Sequence, residues 1–276
     1  MWIILKAIII AIVEGVTEFL PISSTGHMIL VGDLIKFNGT DFAKMYEVVI
    51  QLGAILAVVV LYWNKIKDMI VSFFKWEKRG IKFWVNLIIA TIPAMVLGLT
   101  LDDLIDEYLF NTKTVVVGFI VGGILLIVIE NNFRKKSKGF NAVRNLDDIS
   151  YGQAFKVGVF QCLAMWPGMS RSASTIMGGW IAGLSTPVAA EFSFFLAIPV
   201  MVGASGLKLF KYNYSTMVTN QWISLGVGFV VAFLTALLVV DRFIAFLKKK
   251  PMRIFAIYRL IAAVVLAGLM FASVIK

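Results

Sequence analysis

Six stretches of the chain stay apolar for the length of a membrane crossing, at about 45–63, 83–101, 114–130, 187–207, 222–240 and 254–275. A helix of about 17 or more such residues reaches across the hydrocarbon layer of a bilayer. The expected fold is therefore all-α and polytopic, a single integral membrane domain over 1–276. Hydrophobic residues make up 60% of the chain, charged residues only 15%, and the mean hydropathy is +0.90, which excludes an ordinary soluble domain.

Two further apolar regions, 2–36 and 152–183, are each interrupted near the middle by proline, glycine and a polar cluster. Non-helical backbone at membrane depth is tolerated only where it is buried in protein or lines a cavity. Each region is thus expected to form a re-entrant hairpin of two half-length helices.

Charge sets the orientation. The net charge is +10, but the basic residues fall between membrane-length runs, so a cytoplasmic face against anionic lipid explains them better than nucleic acid does. Lys65, Lys67, Lys75, Lys78, Arg79 and Lys82 lie in 64–82. Arg134, Lys135, Lys136, Lys138 and Arg144 lie in 131–151, and Arg242, Lys248, Lys249, Lys250 and Arg253 in 241–255. The alternate loops are poor in basic residues: 101–113 carries Asp102, Asp103, Asp106 and Glu107 against Lys113. Basic loops belong inside, which requires 152–183 to enter and leave on the cytoplasmic side and 2–36 on the outer side, with both termini outside.

The chain then divides into inverted halves, approximately 1–145 and 146–276, each a hairpin followed by three spans. At an offset of 147, Glu14, Glu18, Phe19, Ser23, Ser24 and Thr25 fall opposite Gln161, Met165, Trp166, Ser170, Arg171 and Ser172. Inverted repeats with broken helices place a site at the breaks.

The first break reads Glu14-Gly15-Val16-Thr17-Glu18-Phe19-Leu20-Pro21-Ile22-Ser23-Ser24-Thr25-Gly26-His27 and holds the only histidine. Intramembrane carboxylates are costly and point to function. Glu14 and Glu18, four apart, share a helix face; in a dry site they share a proton or hold a divalent cation such as Mg²⁺ or Ca²⁺. Pro21 ends the helix. Ser23, Ser24 and Thr25 stand where the next begins, more hydroxyls than capping requires, beside a helix N-terminus suited to anions. His27 can act as acid or base.

The second break, Pro167-Gly168-Met169-Ser170-Arg171-Ser172-Ala173-Ser174-Thr175, adds a permanent cation with a planar fork for phosphate oxygens. Carboxylates, hydroxyls, histidine, arginine and two helix starts together describe a phosphate site. No Walker-type loop or zinc-protease motif is present. Cys162, the single cysteine, excludes an internal disulfide, and the N-terminus lacks the charged region and cleavage site of a removable signal peptide. Glu47, Glu130, Asp241 and Arg259 lie near expected span ends and read as interfacial. Glu191 reads as a polar packing residue.

The paired motifs EGVTEFLPISSTGH and PGMSRSAST resemble those of the undecaprenyl-diphosphatase family of bacterial inner membranes, known also for bacitracin resistance, and the likeness extends over the whole chain. It implies hydrolysis of undecaprenyl diphosphate to the monophosphate and inorganic phosphate, recycling a cell-wall lipid carrier. A divalent cation and a site open to the outer, periplasmic face are implied with it. By motif position Glu14 and Glu18 match the acidic, metal-holding pair, Ser24 the proposed nucleophile, His27 the histidine and Arg171 the phosphate-binding arginine. Ser23, Thr25, Ser170 and Thr175 match accessory hydroxyls, and Ser172 is counted with them here. The expected partners are the polyprenyl diphosphate and membrane lipids, with a homodimer left open and nucleic acid excluded. In the expected reaction Ser24 attacks, Glu18 or His27 takes its proton, and Arg171 with the cation stabilises the phosphoryl group. The rivals are a polyprenyl-phosphate flippase and a passive lipid-binding scaffold.

Overall fold

The computed structural model describes residues 2–137, 139 and 141–273; the side chains of 102, 103, 106, 134–137, 248 and 249 lie outside that description. Several residues of the expected basic loops, Arg134, Lys135, Lys136, Lys138, Lys248 and Lys249, are therefore outside it, as are the side chains of Asp102, Asp103 and Asp106. Among the described residues the regular structure is helical, apart from one isolated bridge between Val143 and Leu184.

Among the described residues six helices are long and apolar enough to cross a membrane: α3 (Asp41–Leu61), α5 (Lys78–Leu109), α6 (Thr112–Ser137), α9 (Thr186–Lys211), α10 (Thr219–Lys249) and α11 (Arg253–Phe271). Each overlaps one of the six expected spans, as a multi-pass membrane protein requires; 45–63 runs past the end of α3 and 254–275 past the end of α11, its last two residues lying outside those described. Apolar side chains face outward along them, Ile88, Leu99, Ile261 and Val264 among the most exposed; in lipid such residues need no partner. Pro93 and Pro199 sit inside α5 and α9, placements that membrane helices accommodate.

Each interrupted region forms two shorter helices around a break. α1 (Trp2–Thr17) and α2 (Ser24–Leu34) flank the first, while α7 (Tyr151–Gln161) and α8 (Arg171–Ile181) flank the second, with a 3₁₀ turn at Cys162–Met165. Ser150 and Gln153 form a capping box that starts α7. α1 packs on α10 and α7 packs on α5. Small residues permit both contacts: a Cβ at Gly15 would stand 2.8 Å from the Ala232 carbonyl, and one at Gly158 2.5 Å from the Ala90 carbonyl. Beneath the first break, Phe19 is fully buried edge-on to Phe194 at 5.6 Å, and Phe195 meets Tyr62 and Phe83 the same way. This aromatic core, centred on α9, gives the break a rigid floor.

The segment 64–82 differs from the expected loop. It holds most of α4 (Trp63–Phe74), which buries Ile66 and Met69 and leaves Lys67 and Phe74 outward. Its apolar residues recur three to four apart, which makes it an amphipathic helix despite its lysines. Two residues read as interfacial are core residues: Arg259 is 0% exposed and Glu130 3%, the latter accepting from the Met252 N–H at 2.9 Å. Both sit near span ends in sequence, but neighbouring helices cover those ends. Glu191 pairs with Lys65 at 2.8 Å, joining α9 to α4, consistent with a packing role.

Candidate active site

The two breaks face each other. Ser23 and Ser170 both adopt the left-handed region, each at φ 71°, and each caps the helix that follows: Ser23 Oγ accepts from Gly26 N–H and Ser170 Oγ from Ala173 N–H, both at 3.3 Å. A non-glycine residue at positive φ is strained, and here the turn it makes aims the first residue of each helix, Ser24 and Arg171, inward. The Ser172 hydroxyl donates to the Leu20 carbonyl at 2.8 Å, fastening the second break to the first.

Between them lies a cavity of about 160 Å³. Glu18, Ser23, Ser24 and Thr25 line it from the first break, Pro167, Gly168, Ser170 and Arg171 from the second, and Gln51 and Met201 from α3 and α9. The Ser24 hydroxyl donates to Glu18 Oε2 in a short hydrogen bond. Glu18 Oε1 accepts from Arg171 Nη2 at 3.2 Å. Arg171 Nη1 donates to the Ser193 carbonyl at 2.9 Å, leaving its buried Nε without a partner. Ser193 is held in turn by the Thr175 hydroxyl at 2.6 Å. A carboxylate thus touches a hydroxyl on one side and a guanidinium on the other, the geometry of a base beside a nucleophile and an anion holder.

Glu14 stands behind this wall, fully buried, with neither carboxylate oxygen hydrogen-bonded. Its electrostatic neighbours are Glu18, Glu47 and Arg171. A single arginine stands beside the two carboxylates, Glu14 and Glu18. Among the described residues no three His, Cys, Asp or Glu side chains converge on a common metal position. A hard cation bound by one or two carboxylates, with the remaining oxygens from hydroxyls, water or a phosphate, still suits this donor set.

Six of the expected residues, Glu18, Ser23, Ser24, Thr25, Ser170 and Arg171, meet at the cavity. Ser172 and Thr175 do not line it; they fasten Leu20 and Ser193. His27 is not brought to it either. A helix turns about 100° per residue; with Ser24 and Thr25 on the cavity side, His27 lies on the flank facing α6 and α11. Its Nδ1 pairs with the Ser23 carbonyl at 2.7 Å and its Nε2 with the Tyr258 hydroxyl at 2.8 Å, beside the Phe119 ring. A carbonyl only accepts, so Nδ1 carries the proton and a neutral His27 accepts from Tyr258. Gln51, Ser193 and Tyr258 were not anticipated. They come from distant elements and stand in ordinary helical surroundings, so nothing local marks them.

The chain is similar to known proteins along nearly its whole length. The profile of the family described as bacitracin resistance protein BacA matches residues 7–265. An undecaprenyl-diphosphatase of Clostridium perfringens is 63% identical, the alignment covering 99% of this chain and 98% of that protein. One of Clostridium tetani is 60% identical over 96% of each chain, and undecaprenyl-diphosphatase 2 of Clostridioides difficile is 59% identical over 99% and 97%. A match that spans both breaks and all six long helices leaves one conclusion: the chain belongs to the bacitracin resistance protein BacA family.

Proposed function

We propose that this protein is an undecaprenyl-diphosphate phosphatase of the bacterial cell membrane, releasing inorganic phosphate and the lipid monophosphate. One observation carries the reading: Ser24 donates to Glu18, which also holds Arg171, at a cavity between two helix starts. Ser24 Oγ attacks the terminal phosphorus as Glu18 takes its proton. The bond from that phosphorus to the bridging oxygen breaks, and the lipid monophosphate leaves. Water then cleaves the phosphoserine, with Glu18 again placed to manage the proton. Arg171 and the N–H groups opening α2 and α8 stabilise the charge on the phosphoryl oxygens. Glu18 rather than His27 is the proton acceptor, because His27 spends both ring nitrogens elsewhere. Glu14 and Glu18 would hold a divalent cation, Mg²⁺ or Ca²⁺, whose charge offsets that of the phosphate when bound.

The topology proposed with this function is a pair of inverted halves, about 1–145 and 146–276, whose re-entrant breaks meet. Several features support it. α2 and α8 have 11 residues each and start 147 positions apart, at Ser24 and Arg171. Their caps share one backbone angle, and α1 on α10 is answered by α7 on α5. The basic residues of 64–82 and 241–255 put those segments inside, and the site then opens toward the outer face. Purified protein in detergent, where no sidedness exists, should release phosphate from undecaprenyl diphosphate in a divalent-cation-dependent manner. Binding of the lipid without phosphate release would instead favour a flippase.

A further inference from the structure

α11 passes behind both breaks and presents two adjacent residues to them, neither of which lines the cavity. Arg259 is 0% exposed. Its Nη2 donates to the Gly118 carbonyl of α6 at 2.9 Å and to the Gly168 carbonyl of the second break at 2.8 Å, while Nε and Nη1 find no partner. None of the ion pairs among the described residues includes it. A buried charge without a counter-ion is costly, and an apolar residue of similar volume serves stability as well or better.

The chain nonetheless makes room for this one. A Cβ at Gly122 would stand 1.8 Å from Arg259 Nη2, and a Cβ at Gly118 2.4 Å from the Pro167 carbonyl. Gly168 itself holds φ +97°. The guanidinium therefore holds the glycine turn three residues before Arg171. Its neighbour Tyr258 reaches the other break: its hydroxyl binds His27 Nε2, and His27 Nδ1 binds the carbonyl of Ser23, the residue before Ser24.

We propose that Tyr258 and Arg259 form a clasp that sets the position of Ser24 relative to Arg171, the first through His27 and the second through Gly168. Both are positioning residues. The importance of that spacing rests on the phosphatase reading; the mechanical claim does not. An Arg whose place were only structural would be tied to packing. This one ties the α6 backbone at Gly118 to the Gly168 carbonyl at the cavity's edge, and it leaves other donors unused.

The test compares the full chain in detergent with Arg259→Gln, Gly122→Ala and the double variant. Gly122→Ala keeps the charge but drives the guanidinium off its carbonyls. A displacement near 1 Å lowers turnover about 100-fold, so each single variant should lose about that factor in kcat with KM within about threefold. The melting temperature should stay near wild type, and the double variant should be no worse than the poorer single one. In the Arg259 and Gly122 variants hydrogen–deuterium exchange read on a peptide covering 163–171 should speed up at least about tenfold, and in Tyr258→Phe the same should hold for 18–25, with α6 and α11 staying protected. Unchanged kcat, additive losses, a kcat loss that tracks the melting temperature, or faster exchange spread evenly along α6 and α11 would each overturn the clasp. If wild-type protein released no phosphate, the phosphatase reading would fall, and the exchange measurement would still decide the clasp.

Discussion

Ser24, Glu18 and Arg171 form a chain of contacts to which the proposed reaction gives different tasks, so their substitutions should separate. Ser24→Ala removes the proposed attacking oxygen and should lower phosphate release by about 10³-fold or more, measured under single-turnover conditions. Glu18→Gln keeps the size and a hydrogen bond but cannot take the proton, and a loss of about 10²–10⁴-fold is expected. Arg171→Lys keeps the charge and gives up the fork that spans Glu18 and Ser193; a loss of about 10–100-fold is expected. Glu14 and Glu18 stood out in the sequence because carboxylates at membrane depth are costly, and the structure brings Glu18, not Glu14, to the cavity. His27 was readable as a residue but not as a direction: spacing along α2 leaves open which flank meets the cavity. Arg259 was misread because distance from a span end in sequence does not tell which helices cover that end.

The breaks were legible as elements from proline, glycine and clustered hydroxyls, and both appear where those residues stand. Their mechanism was not, since it lies in a backbone angle. At φ 71° glycine is unstrained, whereas a β-branched side chain is opposed by its own carbonyl. Ser170→Gly should therefore cost only a few tenths of a kcal/mol, the lost cap being partly replaced by water. Ser170→Val loses the cap and meets the steric penalty, about 2–3 kcal/mol in all. Thermal unfolding in a mild detergent checks the order; equal destabilisation by both would mean that the angle carries no strain. α4 escaped a reading based on charge because its lysines dominate the local composition, while Ile66 and Met69 set its period.

Across the molecule, the six spans could be read directly from hydropathy, since lipid selects for length and apolarity alone. What lipid selects, it also enforces. Val264, 72% exposed on α11, faces hydrocarbon, and Val264→Lys should add about 3 kcal/mol to insertion of that helix; quantifying the membrane-integrated fraction of the protein tests it. Helix pairing was less legible, because close approaches such as Gly15 on α10 depend on backbones that meet only in the folded state. The fastening of one break to the other, through Ser172 to Leu20 and Arg171 to Glu18, has a dynamic corollary. Any rocking that separates the two breaks must first dissolve those contacts, and with them the alignment on which attack depends. On the proposed reaction the seam acts as an interlock, so a covalent bridge across it should leave phosphate release intact while abolishing every motion that needs the breaks to part.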